Sequence, residues 1–193
     1  MPLDRVVFTV GHGTRSADEL IAVLQAAGIE QLVDVRRFPG SRRHPHFARE
    51  EMERWLPESG IAYAWWGEEL GGRRSRQDKG SREAQRTRHP AWRNAAFKSY
   101  ADHTDTELYR RGIERLEAES ESTKLTVMCA ETLWWRCHRR LVADTLTLRG
   151  TGVVHLIDRA SSQPHLLHPA VRLGEDGWPI YDRGETSELS LES

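Results

Sequence analysis

Long apolar runs are missing from this 193-residue chain: none approaches the roughly 20 consecutive apolar positions that a membrane-spanning helix needs. Met1–Arg5 also lacks the basic-then-apolar layout of a secretory signal, so the expected location is cytoplasmic, with no membrane partner. Cysteine is scarce. Cys129 and Cys137 are too few for a disulfide framework, and in a reducing compartment they are thiols, ligands or core residues. Lysine is almost absent, with Lys79, Lys98 and Lys124 against 25 arginines. A guanidinium forks onto phosphate or carboxylate in a way an ammonium cannot. No internal repeat is found, which excludes a solenoid or propeller.

What is present describes a folded domain. A hydrophobic share of 38%, a charged share of 30% and seven tryptophans lie far from disordered compositions, and the length suits one domain. The net charge of −1 hides a strong asymmetry, because Arg36–Arg93 carries fourteen Arg or Lys against eight Asp or Glu. The middle third is therefore basic.

Val6–Val10 is a β-branched run stopped by Gly11-His12-Gly13, which fits a buried strand ending in a tight loop. Ser16 and Glu19 make a capping-box pattern before Leu20, Leu24 and Ala27 at helical spacing, with Gly28 as the stop. Leu32–Arg36 reads as a second strand, so the opening looks like a βαβ unit with a parallel sheet. Further helices are expected over Ala48–Glu58, Pro90–Ala101 and Cys137–Arg149, and one after a Thr104/Glu107 capping box. Further strands are expected over Ile61–Trp66, Leu125–Cys129 and Val153–Ile157. The fold class is α/β: a single domain over residues 1–173, with a mostly parallel sheet of about five strands flanked by helices. A basic loop at about 71–89 carries Arg73, Arg74, Arg76, Arg82, Arg86 and Arg88, and residues 174–193 read as an acidic irregular tail.

In open α/β sheets ligands bind outside the carboxyl ends of the strands. Four predicted strands end in polar, reactive sequence: Gly11–Arg15, Asp34-Val35-Arg36, Cys129-Ala130-Glu131 and His155–Asp158. If parallel, they converge. The densest segment runs from Cys129 through Glu131 to Cys137-His138-Arg139-Arg140, at a strand end and a helix N-terminus, where backbone amides and the helix dipole would stabilise a thiolate. Three chemistries compete for it. A cysteine-phosphatase loop would need five residues between Cys and Arg, whereas six separate Cys129 from Arg136, none of them glycine. A zinc or iron site would use Cys129, Cys137, His138 and His12, although Cys-x7-Cys-His is not a usual ligand spacing, and no cofactor is the expectation. The third chemistry makes Glu131 a general base for water, with His12, Cys129 and His138 as further catalytic candidates. Its substrate contacts would be Arg15, Asp34, Arg36, Ser41, Arg42, Trp134, Trp135, Cys137 and Arg139. The bland alternative buries both cysteines as small apolar residues and pairs Glu131 with an arginine.

Assembled, these residues resemble the family named domain of unknown function 488. The resemblance runs from about Val6 to Ile157, on Gly11-His12, Asp34-Val35-Arg36, Pro39, Ser41, Arg42, Phe47, Tyr63, Leu70-Gly71-Gly72, Phe97, Tyr100, Cys129-Ala130-Glu131 and Cys137-His138-Arg139. Many members carry a charged residue and a proline where this chain has Leu133-Trp134-Trp135, which marks a subgroup. The family name implies a shared polar site and no particular activity. Read with the basic middle third, the expected partner is a nucleic acid or a phosphorylated small molecule, and the expected activity is hydrolysis of a base with Glu131 activating water. The alternatives are a metal-binding or thiol redox protein using Cys129, Cys137 and His138, and a non-catalytic nucleic-acid-binding module.

Overall fold

A computed structural model describes residues 5–40, 43–72 and 87–183. Ser41, Arg42 and most of the basic loop, including Arg73, Arg74, Arg76, Arg82 and Arg86, lie outside the described residues.

Apolar β-branched runs form the centre. β1 (Val6–Gly11), β2 (Gln31–Asp34), β3 (Ala62–Trp65), β4 (Leu125–Cys129), β5 (Gly152–Leu156) and β6 (Ser162–Pro164) make a six-stranded sheet in the order β3-β2-β4-β1-β5-β6. All pairings are parallel except β5–β6. β4 is buried along its whole length, as a strand covered on both faces must be, and each fully buried Leu, Val or Met contributes roughly 1.5–3 kcal/mol. Successive strand residues point to opposite faces. Leu32 and Met128 pack with Leu20, Leu24, Met52 and Leu56 on one face, while Val33 and Val127 pack with Tyr109, Ile113, Leu141 and Leu146 on the other.

The first face is covered by α1 (Ala17–Ala26) and α2 (Arg49–Glu58); α3 (Gly67–Leu70), α4 (Ala95–Thr104), α5 (Glu107–Glu119) and α6 (Arg139–Leu148) follow in sequence. The Ser16/Glu19 capping box closes α1 as expected, and Gly28, at φ 66°, takes the left-handed turn after it. Three expectations are corrected, and the mostly parallel sheet expected gains an antiparallel edge strand. α4 starts at Ala95 rather than Pro90, because the Asn94 side chain accepts from the Ala96 and Phe97 amides. The cap of α5 is Thr106, not Thr104, whose hydroxyl is spent on the Ala101 carbonyl inside α4. The sheet has a sixth strand, β6, which pairs antiparallel on the edge of β5. The region after Gly174, expected to be irregular, turns at Gly177 into β8 (Pro179–Tyr181), which pairs with β7 (Val171–Leu173) and buries Tyr181. No helix among the described residues is long and apolar enough to cross a membrane.

Candidate thiol site in a basic cleft

Register brings the strand ends abreast. Gly11 stands opposite Cys129 and Asp34 opposite Met128, and the pairing continues past the sheet: the amides of His12 and Gly13 donate to the carbonyls of Cys129 and Ala130, both at 3.0 Å. Gly11 must be glycine here, since a Cβ would fall 1.9 Å from the Glu131 carbonyl oxygen. A short 3-10 turn at Trp134–Arg136 then folds the chain back, so that Cys137 meets Cys129.

The two sulfurs lie 2.7 Å apart. Cys129 Sγ accepts from the Glu131 amide (3.3 Å) and from Arg139 Nε (3.1 Å), and Cys137 Sγ from the Arg139 amide (3.5 Å). Three N–H donors, one of them a guanidinium, are an environment for a thiolate. Burial, together with the hydrogen bond to its neighbour, pushes the Cys129 thiol well up. Burial also acts to raise Cys137, but the Cys129 contact and the Arg139 charge outweigh it and bring this thiol down to about 7. Burial opposes the charge on Arg139 in turn, and the two sulfurs more than restore it. His138 Nδ1 sits 3.4 Å from Cys137 Sγ; its Nε2 lies 3.2 Å from the Val35 carbonyl, which can only accept, so Nε2 carries the proton and Nδ1 faces the sulfur. By type, the donor atoms of Cys129, Cys137 and His138, all within 4.8 Å of one another, suit a soft divalent ion. The buried Arg139 guanidinium already places a fixed positive charge on the same sulfurs, which opposes a second cation there.

Both cysteines and His138 line a cleft of about 760 Å³, whose wall also includes His12, Arg36, Arg37, Phe38, Arg43, His44, Phe97, Tyr100, Glu131 and Arg136. Four arginines against one carboxylate give the described wall a positive bias. Asp34 is the anchor beneath it. This buried carboxylate takes three hydrogen bonds from Arg36, through its amide, Nε and Nη2, and a fourth from the Tyr63 hydroxyl. Arg36 also donates from Nη1 to His12 Nε2 at 3.3 Å, so the His12 proton sits on Nδ1 and faces the Gly13 carbonyl. Burial and the Arg36 charge bring His12 down to about 3, so it is neutral near pH 7 and serves to steady Arg36.

Other candidates have structural duties. The Arg15 guanidinium clamps the carbonyls of Gly11 and Ile157, tying the end of β1 to that of β5. Glu131 is exposed at the cleft wall, and its carbonyl receives Arg139 Nη2. Of the expected substrate contacts Trp134 and Trp135, Trp134 is buried with its face on His155, 4.1 Å away and 7° from parallel, and neither lines the cleft. Sequence reasoning did not single out Arg37, and it weighed Arg136 only as the arginine of a phosphatase loop. Arg136 stands directly before Cys137, and the turn that brings the sulfurs together carries it to the wall.

The model of the family described as Domain of unknown function DUF488 matches residues 16–146. The chain belongs to that family. No curated protein and no solved structure matches it. The matched span holds α1, the Asp34–Arg36 segment, α4 and both cysteines of this DUF488 protein.

Proposed function

We propose that this DUF488 protein is a dithiol oxidoreductase that reduces an anionic low-molecular-weight disulfide held in the basic cleft. The observation that carries the reading is the contact between Cys129 and Cys137 at 2.7 Å on the wall of an arginine-lined cleft. Cys137 has the lower pKa and attacks first. Its thiolate displaces one substrate thiolate and forms a mixed disulfide; Cys129, deprotonated in turn, attacks Cys137 Sγ and releases the second substrate thiol. Two protein thiols are oxidised, one substrate disulfide is reduced, and a dithiol reductant in solution restores the pair. Arg37, Arg43 and Arg136 supply charge for substrate carboxylates or phosphates.

Oxidised glutathione is a suitable anionic probe. Reduced protein should lose two hydrogens by mass and both titratable thiols, releasing two equivalents of glutathione. Cys129→Ser should trap glutathione on Cys137, and Cys137→Ser should slow the reaction at least tenfold. Thiols that persist in excess probe in the wild type would overturn the reading.

A second reading follows from Glu131, the one carboxylate in the described cleft wall. The same cations fit the phosphates of a nucleotide or nucleic acid, and Glu131 would activate water for hydrolysis. Hydrolysis of nucleotide or oligonucleotide probes that survives Cys129→Ser and Cys137→Ser but is lost in Glu131→Gln selects it. Salt-dependent oligonucleotide binding without turnover would instead leave a binding module.

A further inference from the structure

Behind the cysteines, on the side away from the cleft, a line of buried polar side chains leads off from Arg139. Arg139 Nη1 lies 3.3 Å from Thr9 Oγ1 and, as a guanidinium, can only donate. The Thr9 hydroxyl, left free to give its own proton, lies 2.7 Å from His155 Nδ1. His155 Nε2 faces His165 Nδ1 at 3.0 Å, and His165 Nε2 lies 2.9 Å from Asp144 Oδ1. With the His155 proton on Nε2, each of these hydrogen bonds points toward the carboxylate. Asp144 is itself fixed by the His168 amide and the Tyr181 hydroxyl, both at 2.9 Å. Trp134 covers His155, and burial, with His165 and the Arg139 charge beside it, holds that ring neutral near pH 7.

We propose that Asp144, acting through His165, His155 and Thr9, positions the Arg139 guanidinium against the sulfurs of Cys129 and Cys137. The inference rests on the reading of these cysteines as the reacting pair and extends their site across the sheet edge to the β7–β8 hairpin. Asp144, His165, His155 and Thr9 touch no substrate and are positioning residues. Arg139 needs such support because its Nε reaches Cys129 only while Nη1 and Nη2 are held, by Thr9 and by the Glu131 carbonyl. The charged or titratable groups that face the sulfurs are Arg139 and His138 from the start of α6 and Glu131 from the loop after β4; His12 and Arg36 share the cleft wall from the loops after β1 and β2.

The sign of one measurement separates positioning from a plain charge effect. Loss of the Asp144 charge acting only through space would favour a thiolate and lower the thiol midpoint. Loss of Arg139 placement raises it. The pH profile of iodoacetamide alkylation, read on the reduced full-length chain, should therefore move up by about one pH unit in both Asp144→Asn and Thr9→Val, with alkylation at pH 7 slowed about fivefold. Thr9→Ser keeps the hydroxyl and should keep the wild-type midpoint. An unchanged profile in Thr9→Val, or a downward shift in Asp144→Asn, overturns the proposal whatever happens to the melting temperature. Imidazole nitrogen NMR shifts test the wiring without the thiols: His155 should be neutral with the proton on Nε2 at pH 7, and an Nδ1 proton or a charged ring there overturns it. Thiols that ionise as described yet form no disulfide would remove the redox reading and leave the role of Asp144 standing.

Discussion

Asp34 shows how a buried charge can serve a site that it does not enter. Three of its four hydrogen bonds hold Arg36 at the cleft wall, and the buried guanidinium in turn gives the carboxylate its counter-charge. Asp34→Ala leaves the Arg36 guanidinium and the Tyr63 hydroxyl without their acceptor. A loss of about 3–5 kcal/mol in urea unfolding is expected, with weaker binding of anionic disulfides as Arg36 swings away. A loss below 1 kcal/mol would mean that the pair is not the anchor described. The pairing of Asp34 with Arg36 was legible in the sequence from their alternate spacing, and the place of Cys129 at a strand end from the apolar run before it. The meeting of Cys129 with Cys137 was not, because it depends on the 3-10 turn at Trp134–Arg136, a three-residue feature with no periodic signal. The tryptophans misled for a related reason: adjacent aromatics look like a platform in sequence, and only the fold shows that the face of one is already taken by His155.

At the scale of elements, the parallel sheet follows from short apolar runs that stop at polar loops, and this is why the four strand ends could be placed together before their order was known. β6, β7 and β8 carry no such pattern. Each is three residues long, and their existence depends on a partner strand rather than on their own sequence. The end of β1 is the most constrained point of the arrangement, because Gly11 passes directly beneath the loop that leads to Glu131. Gly11→Ala sets a methyl group against backbone, which cannot step aside as a flexible side chain can. The variant should lose about 2 kcal/mol or more in stability, and its Cys129 should alkylate abnormally as the Glu131 amide leaves the sulfur. Gly11→Ala with wild-type stability and thiol reactivity would show that this loop moves freely.

Across the whole molecule, buried neutral histidines link the site to overall stability. His12 is brought down to about 3, His155 to about 3 and His168 to about 4; burial is the leading cause for each, with Arg36, His165 and Arg140 as the next contributors respectively. The unfolded chain binds protons at these positions near the ordinary value of 6.5, while the folded chain does not until well below it. Their contribution to stability is therefore complete above about pH 6.5 and is lost as pH falls toward 3 to 4, each histidine accounting for at most about 1.4 kcal/mol per pH unit in that window. Asp176 and Asp182 act in the same direction, held low by hydrogen bonds from Arg88 and Arg172, but an unfolded carboxyl takes up its proton only near 3.8. The interval from pH 6.5 to about 4.5 thus belongs to the histidines. Urea midpoints measured at half-unit steps from pH 7 to 4.5 should fall steadily, with an uptake of two to three protons on unfolding. In His168→Asn an amide oxygen can take the place of Nδ1 as acceptor for the Ala170 amide, so the fold is kept while that uptake drops by about one proton. Stability that stays flat or rises as the pH is lowered from 7 to 5 would mean that these rings are protonated in the folded protein, which would also break the one-way hydrogen-bond chain between Asp144 and Arg139.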